Sequence, residues 1–424
     1  MEDTLRRLRK KFISFRCSRQ SLLFLFFVLL IGAQSAFLIS RGLFLRLSSV
    51  DTLEIHAKKI LDTCVGTGYR PGCYDKEIPK LMDVLSMEDA FGVTRIIQDK
   101  DTSYQYCHVL GHNLSAREIK KDPAKWKDVL TRCPSGVCSN GCLHGGLQER
   151  FRADSFADAQ VEQIKPDLQT LCEARGQWYP TGLEQASCYH AIGHLTMYIT
   201  NADIRESVAL CKEIAGKKDG RDFTHLCFDG AFMQIFQPLE PEDFALVKGK
   251  QPTKQTVGAF CNVFSGAERG ACRSESWPLF VEELQTPQGT VTLCSSLEDD
   301  PAEEDRCYST LFYVMTPRLH FNVADISTFC QKFSEAKRVQ QCFANAASRM
   351  IETDYRNIAK AARLCTMAAP FRSDDACFKE LLMYATYNFH PTSPESLQLC
   401  QALPEPWNTQ CLEQRTIRQQ AAVR

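Results

Sequence analysis

The sequence predicts an all-α fold: about ten αα-hairpin repeats of ~35 residues, each closed by a disulfide, behind one N-terminal transmembrane helix. Three observations predict this fold class. An uncharged apolar stretch covers residues 21–40, the cysteines beyond it recur with a period near 35, and the segments between them carry apolar residues at helical spacing. No stretch shows the sustained alternation of a half-buried strand, so we expect no sheet.

The N-terminal segment predicts where the chain resides. Residues 1–20 hold seven basic and two acidic side chains, and no charge follows from Ser21 to Ser40. Such a stretch rises ~30 Å as a helix, enough to cross the hydrocarbon core of a bilayer. The basic excess predicts a signal-anchor with a cytoplasmic N-terminus and the rest of the chain in a periplasm, a secretory lumen or the cell exterior. A signal peptide cleaved near Ala33 is the alternative, and it leads to the same compartment.

The domain organisation follows from these features. The boundaries are 1–20 for the basic cytoplasmic segment, 21–40 for the anchor, 41–54 for a juxtamembrane linker, 55–415 for the helical repeat domain and 416–424 for a C-terminal tail.

The composition of the chain narrows the class of partner. The formal net charge of −1 lacks the basic excess of a nucleic-acid-binding protein, so we expect no nucleic-acid partner. The 44% apolar content is sufficient for a buried core.

The 21 cysteines are expected to brace the external domain. Cys17 falls on the cytoplasmic side, which leaves an even number in an oxidising compartment. Pairing neighbours across each hairpin joins 64–73, 172–188, 211–227, 261–272, 294–307, 330–342, 365–377 and 400–411. Four cysteines remain, at 107, 133, 138 and 142. We prefer Cys107–Cys138 with Cys133–Cys142, because Cys142 keeps the register of the repeats, although the sequence leaves their connectivity open.

The cysteine spacing indicates a helix–turn–helix repeat. The second cysteines of the last five pairs are separated by 35, 35, 35 and 34 residues. We expect helix A to end at the first cysteine, a loop of about ten to fifteen residues to follow, and helix B to begin at the second. This period and helix pairing resemble the tetratricopeptide-like class of αα-solenoids, although the tetratricopeptide signature residues are not evident. The resemblance implies that a concave face, lined by one helix of each repeat, binds a protein or peptide partner.

Five of the nine histidines fall between residues 108 and 194, and all five follow closely after a cysteine. The motif Cys-(x)-His-x-x-Gly-His occurs twice, and each copy puts two histidines on one helix face. Two residues after the second cysteine, three consecutive repeats carry a histidine or an aspartate. Metal sites on helices use the same four-residue spacing, so a divalent transition metal is the candidate cofactor. The candidate site consists of His108, His112, His144, His190, His194 and Asp229.

Two functions stay open on this reasoning. The repeats favour a membrane-anchored scaffold for a protein or peptide partner, whereas the histidines favour a metal-binding protein or a metal-dependent enzyme. The histidines and their glycines could also serve helix packing alone. A duplicated packing residue should occur in every repeat, however, and these occur only in the N-terminal half. Gln148 and Gln234 could line the same groove, although a structural role is favoured for both.

Overall fold

The structure is a computed structural model that describes residues 52–134, 137–152, 158–175, 178–217 and 221–422. Within these ranges the named secondary-structure elements are all helices, and an isolated bridge joins Arg175 and Trp178. The predicted all-α class is therefore confirmed. The predicted anchor at 21–40 lies outside the described residues, and none of the helices in the described ranges is long and apolar enough to cross a membrane.

The α-helices follow one another closely along the chain, joined by short loops and 3-10 turns. They are α1 (52–64), α2 (Arg70–Glu77), α3 (Met87–Lys100), α4 (His108–Lys121), α5 (Trp126–Thr131), α6 (Gly141–Arg152), α7 (Asp158–Leu171), α8 (Gly182–Ile199), α9 (Ile204–Ala215), α10 (Thr224–Phe236), α11 (Pro241–Leu246), α12 (Val257–Cys261), α13 (Gly266–Glu275), α14 (Pro287–Cys294), α15 (Pro301–Arg318), α16 (Val323–Cys330), α17 (Ala336–Thr353), α18 (Ile358–Met367), α19 (Asp374–Tyr387), α20 (Pro394–Ala402) and α21 (Trp407–Ala422).

Disulfides join the helices in pairs. Nine bridges close hairpins between cysteines 9 to 16 residues apart, and one spans 31 residues. These are the pairings preferred from the sequence, including the two that the spacing alone left open. The bridges are Cys64–Cys73, Cys107–Cys138, Cys133–Cys142, Cys172–Cys188, Cys211–Cys227, Cys261–Cys272, Cys294–Cys307, Cys330–Cys342, Cys365–Cys377 and Cys400–Cys411.

The bridges lie inside the apolar core. Two clusters of buried side chains follow the chain, one between Ala57 and Cys272 and the other between Leu284 and Cys411, and Phe280 contacts both. Almost all of the bonded cysteines are fully buried within these clusters. Each bridge therefore holds two helices together at the interface where their apolar faces meet.

The helix boundaries differ from the prediction in one respect. The first helix of a hairpin does end at its cysteine in α12, α14 and α16. The second helix begins before its cysteine, however, and Cys342 is the seventh residue of α17, so the loop there is only residues 331–335. The predicted longer loops were wrong because the capping residues stand upstream of the cysteines. Thr181 accepts from the backbone N–H of Glu184 to start α8, and Asp300 caps α15 in the same way.

The second helices of successive hairpins pack side by side in chain order, from α4 through α6, α8, α10, α13, α15, α17 and α19 to α21. Glycines permit the closest approaches in this row. A Cβ atom added to Gly145 of α6 would lie 2.1 Å from the His112 Cα, and one added to Gly230 of α10 would lie 2.0 Å from the His190 carbonyl oxygen. Because these neighbours are backbone atoms, only glycine allows the helices to lie this close together.

The C-terminal hairpins pack back against the N-terminal ones. Arg356 donates from Nη2 to the Gln98 Oε1 at 3.1 Å and forms an ion pair with Asp99. The His390 Nε2 lies 3.4 Å from the Glu184 Oε2. In addition, α17 contacts the 3-10 turn Cys138–Asn140, which precedes α6. These contacts bring α17 to the interior that α4, α6 and α8 also face.

Candidate functional site

Three buried histidines converge at the start of α4 and α6. His108 and His112 belong to α4, His144 belongs to α6, and we call them the His triad. The His112 Nε2 lies 3.1 Å from the His108 Nε2, and the His144 Nδ1 lies 3.2 Å from the same atom. One ring nitrogen from each lies within 4.8 Å of the other two. Nitrogens ~2.0–2.1 Å from a tetrahedral metal are ~3.3 Å apart, so both distances to the His108 Nε2 match the spacing of metal ligands.

The protonation of His108 explains why this convergence favours a cation. The His108 Nδ1 lies 3.2 Å from the Ser139 carbonyl oxygen, which can only accept a hydrogen bond, so Nδ1 carries the proton. In the neutral ring, Nε2 then offers one lone pair, and nitrogens of both other triad histidines approach it. One lone pair cannot accept two well-directed N–H bonds. A metal ion at the centre would satisfy all three nitrogens, with the carbonyl orienting the ring as in known metal sites.

The turn that presents the Ser139 carbonyl is conformationally strained. Its three residues Cys138, Ser139 and Asn140 have φ values of 52°, 49° and 58°, in the left-handed region that side chains disfavour. Each such residue costs on the order of 1 kcal/mol and persists only where its surroundings hold it. Here the bridge to Cys107 fixes one end, and the Asn140 Nδ2 donates to the Ser187 Oγ at 2.8 Å. The Cys107–Cys138 bridge, one of the two whose pairing the spacing left open, thus helps to position the Ser139 carbonyl beside the triad.

Two further histidines, His190 and His194 of α8, form what we call the His pair. Their Nε2 atoms are 3.2 Å apart, and the His194 Nδ1 lies 2.7 Å from the Gln234 Oε1 on α10. The ring centre of His144 is 5.2 Å from that of His190 and 5.6 Å from that of His194. The five histidines singled out from the sequence therefore form one continuous cluster.

Burial keeps four of these imidazoles, those of His108, His144, His190 and His194, in the neutral form. Burial, followed by the charge of a neighbouring histidine, lowers the pKa of His108 and of His144 well below the usual value. Burial also lowers the pKa of His190 to about 3 and that of His194 to about 4. Neutral imidazole is the form that binds metals, so the cluster holds unprotonated ring nitrogens at neutral pH.

A carboxylate that the sequence analysis missed lies beside the triad. The Glu240 Oε1 is 3.7 Å from the His112 Nδ1, a buried nitrogen without a hydrogen-bond partner among the described residues. Glu240 begins α11 in a capping box with Asp243, and the Asp243 Oδ1 accepts from the Gln148 Nε2 at 2.9 Å. Carboxylates in this position orient metal-binding histidines. The sequence indicates that a helix starts near Glu240. It does not indicate that this helix start lies close to α4.

Asp229 takes a different place from the one predicted. In the described part of the chain, the only group of three or more ligand side chains within metal-binding range is the His triad. Burial raises the pKa of the Asp229 carboxyl to about 7, with Arg306 and Glu303 as its charged neighbours. Burial and then the charge of Asp229 raise the pKa of Glu275. Asp229 therefore faces the hairpins that follow it.

A partly exposed tyrosine lies beside the buried triad. The ring of Tyr106 is stacked 6.0 Å from that of His108, and 46% of its surface is exposed. Its hydroxyl is hydrogen bonded to Arg349 of α17, whose Nη1 lies 3.2 Å from the Glu352 Oε1. Burial raises the pKa of both the Tyr106 phenol and the Glu352 carboxyl. Tyr106 and the Arg349–Glu352 ion pair of α17 therefore lie beside His108.

Comparison with protein-family models, with curated proteins and with solved structures finds no match for this chain. The function is therefore inferred from the geometry of the site alone.

Proposed function

We propose that this protein binds a divalent transition metal through the His triad, in a compartment outside the cytoplasm. The observation that carries this proposal is the convergence of two ring nitrogens on the His108 Nε2, while the His108 Nδ1 is held by a carbonyl oxygen. Three imidazoles suit zinc, copper, iron or nickel better than magnesium or calcium, which prefer oxygen ligands.

The ligand number supports a catalytic site. Structural zinc sites are closed by four protein ligands, whereas catalytic sites use three and leave a position for water or substrate. The triad supplies three, which is the number found in catalytic sites. The chemistry this favours begins with a water or substrate molecule bound to the metal.

The scaffold function predicted from the repeats is the second candidate. We infer that the disulfide-closed hairpins form one αα-solenoid behind the predicted anchor, and the row from α4 to α21 would supply its continuous inner surface. In the N-terminal part, that surface carries the histidine cluster and faces α17. For this reason we place metal binding first and partner binding second.

Metal analysis of the full-length chain, purified without a histidine tag, tests the metal proposal. The protein is stripped with a chelator, reloaded with Zn²⁺ and dialysed before the metal per chain is measured. We expect tightly bound zinc in the wild type and at least one equivalent less in His144→Gln. His225→Gln is the matched control, because His225 lies on α10 outside the cluster, and it should retain the wild-type content. A wild type that retains no metal, or a His144→Gln variant that retains it all, would contradict the proposal.

A further inference from the structure

We infer that the His pair forms a second metal position beside the triad, so that the protein carries a two-metal centre. This inference rests on the proposed function. The expected ligand is again a divalent transition metal, with a water or an oxyanion completing its coordination because the pair supplies two protein ligands.

The pair repeats the geometry of the first two triad histidines. The Nε2 atoms of His190 and His194 are 3.2 Å apart, and those of His108 and His112 are 3.1 Å apart. Both sets come from copies of one sequence motif and are four residues apart on one helix. The motif thus provides the same two-imidazole arrangement twice.

A buried amide orients the pair as a carbonyl orients the triad. The His194 Nδ1 donates to the Gln234 Oε1 at 2.7 Å, which turns the lone pair of the His194 Nε2 toward His190. Gln234 is only 3% exposed, and its Nε2 has no hydrogen-bond partner in the described ranges. A buried amide with an unsatisfied N–H is costly, so its retention here fits a role for the amide oxygen in fixing His194.

The spacing of the ring nitrogens separates the two positions. Among the described residues, the group whose ligand atoms all lie within 4.8 Å of one another consists of His108, His112 and His144, and neither histidine of the pair joins it. The Nε2 atoms of the pair are 3.2 Å from each other. For this reason we assign a separate ion to the pair rather than a shared one.

Negative charge near the cluster would offset two cations. The Glu240 carboxylate lies 3.7 Å from the His112 Nδ1, and Asp243 lies close enough to His194 to act on its charge state. Gln148 and two backbone N–H groups hold the Asp243 carboxylate in place. The two carboxylates belong to the α11 start, so one short segment serves both positions.

Stoichiometry tests this inference directly. The stripped full-length chain is titrated with Zn²⁺ by calorimetry, and bound metal is counted after dialysis. We expect two equivalents in the wild type, one in His190→Gln and one in His194→Gln. His225→Gln should keep two. Retention of one equivalent in the pair variants also shows that their triad is still assembled, which excludes simple misfolding.

The failures of the two proposals are distinguishable. One equivalent in the wild type, unchanged by both pair variants, would leave the triad proposal intact and overturn the second position. A single equivalent that is lost in either pair variant would mean one shared ion, which also overturns it. Two equivalents that survive both variants would place the second ion elsewhere. No bound zinc in the wild type would overturn both proposals together.

Discussion

At the scale of single residues, the site depends on groups that fix the outer nitrogens of the histidines. Ser139 holds His108, Gln234 holds His194, and Glu240 lies near His112. The histidines were predictable because a spacing of four residues puts two of them on one helix face. Ser139 and Glu240 were not predictable, since a strained turn and a helix start from other parts of the chain bring them to the site.

Glu240→Gln is expected to weaken zinc binding by about 10- to 100-fold, because a neutral amide is a poorer acceptor for the His112 N–H. Calorimetric titration of the stripped protein measures the change. Glu335→Gln is the control, since Glu335 is also the N-cap residue of its helix, α17, and should leave the affinity unchanged. Equal losses in both variants would attribute the effect to helix capping.

Acid should destabilise the metal-free protein through the imidazoles whose pKa values are lowered by desolvation. The pKa of His190 is about 3 in the folded chain and near 6.5 when unfolded. The unfolded state therefore binds more protons between these values, and the free energy of unfolding falls as the pH falls from about 6.5. At pH 5 one such histidine accounts for about 2 kcal/mol.

Denaturant unfolding at pH 7.5 and pH 5, in the presence of chelator and with the disulfides intact, measures this dependence. His190→Gln should lose less stability between the two pH values than the wild type. The His390–Glu184 pair should show the opposite pH dependence, because Glu184 raises the pKa of His390. The stability that this pair contributes is therefore lost as the pH rises through that pKa. An identical pH dependence in the wild type and His190→Gln would refute the assignment.

At the scale of elements, the glycines in the motif place the helices that carry the histidines. From the sequence alone, close helix packing and a functional cluster were competing explanations for these residues, whereas in the structure the glycine contacts and the clustered histidines belong to one arrangement. Gly193 of α8 and Gly230 of α10 face each other across a contact that admits no side chain. This contact brings Gln234 within reach of His194. The helix starts were predicted less well, because capping residues decide them and the cysteines do not.

Gly230→Ala is expected to destabilise the protein by about 1–3 kcal/mol, because the new methyl group would collide with the His190 carbonyl oxygen. The displaced helices should also lose the second zinc equivalent while the triad keeps its own. Gly68→Ala is the control, since no heavy atom lies within 4 Å of its added Cβ. Unfolding midpoints and zinc counts test both effects. Wild-type zinc content and stability in Gly230→Ala would contradict this role of the contact.

At the scale of the whole molecule, the local features were predictable and the long-range ones were not. Each hairpin is closed by cysteines near in sequence, so the period of about 35 residues indicates both the hairpins and their bridges. The packing of the C-terminal hairpins on the N-terminal ones has no such signal, because its partners are far apart in the chain. Arg356 and Gln98, for example, are separated by 258 residues. This packing brings Arg349 to the histidine cluster.

The proposed metal centre consists of the His triad of α4 and α6, with the His pair of α8 as a second position beside it. X-ray absorption at the zinc edge of the reloaded full-length protein identifies the atoms that bind the metal. We predict nitrogen neighbours at ~2.0–2.1 Å with the outer-shell scattering of several imidazoles, reduced in His144→Gln and unchanged in His225→Gln. Sulfur neighbours at ~2.3 Å, or a shell of oxygens without imidazole scattering, would show that the histidines do not bind the metal.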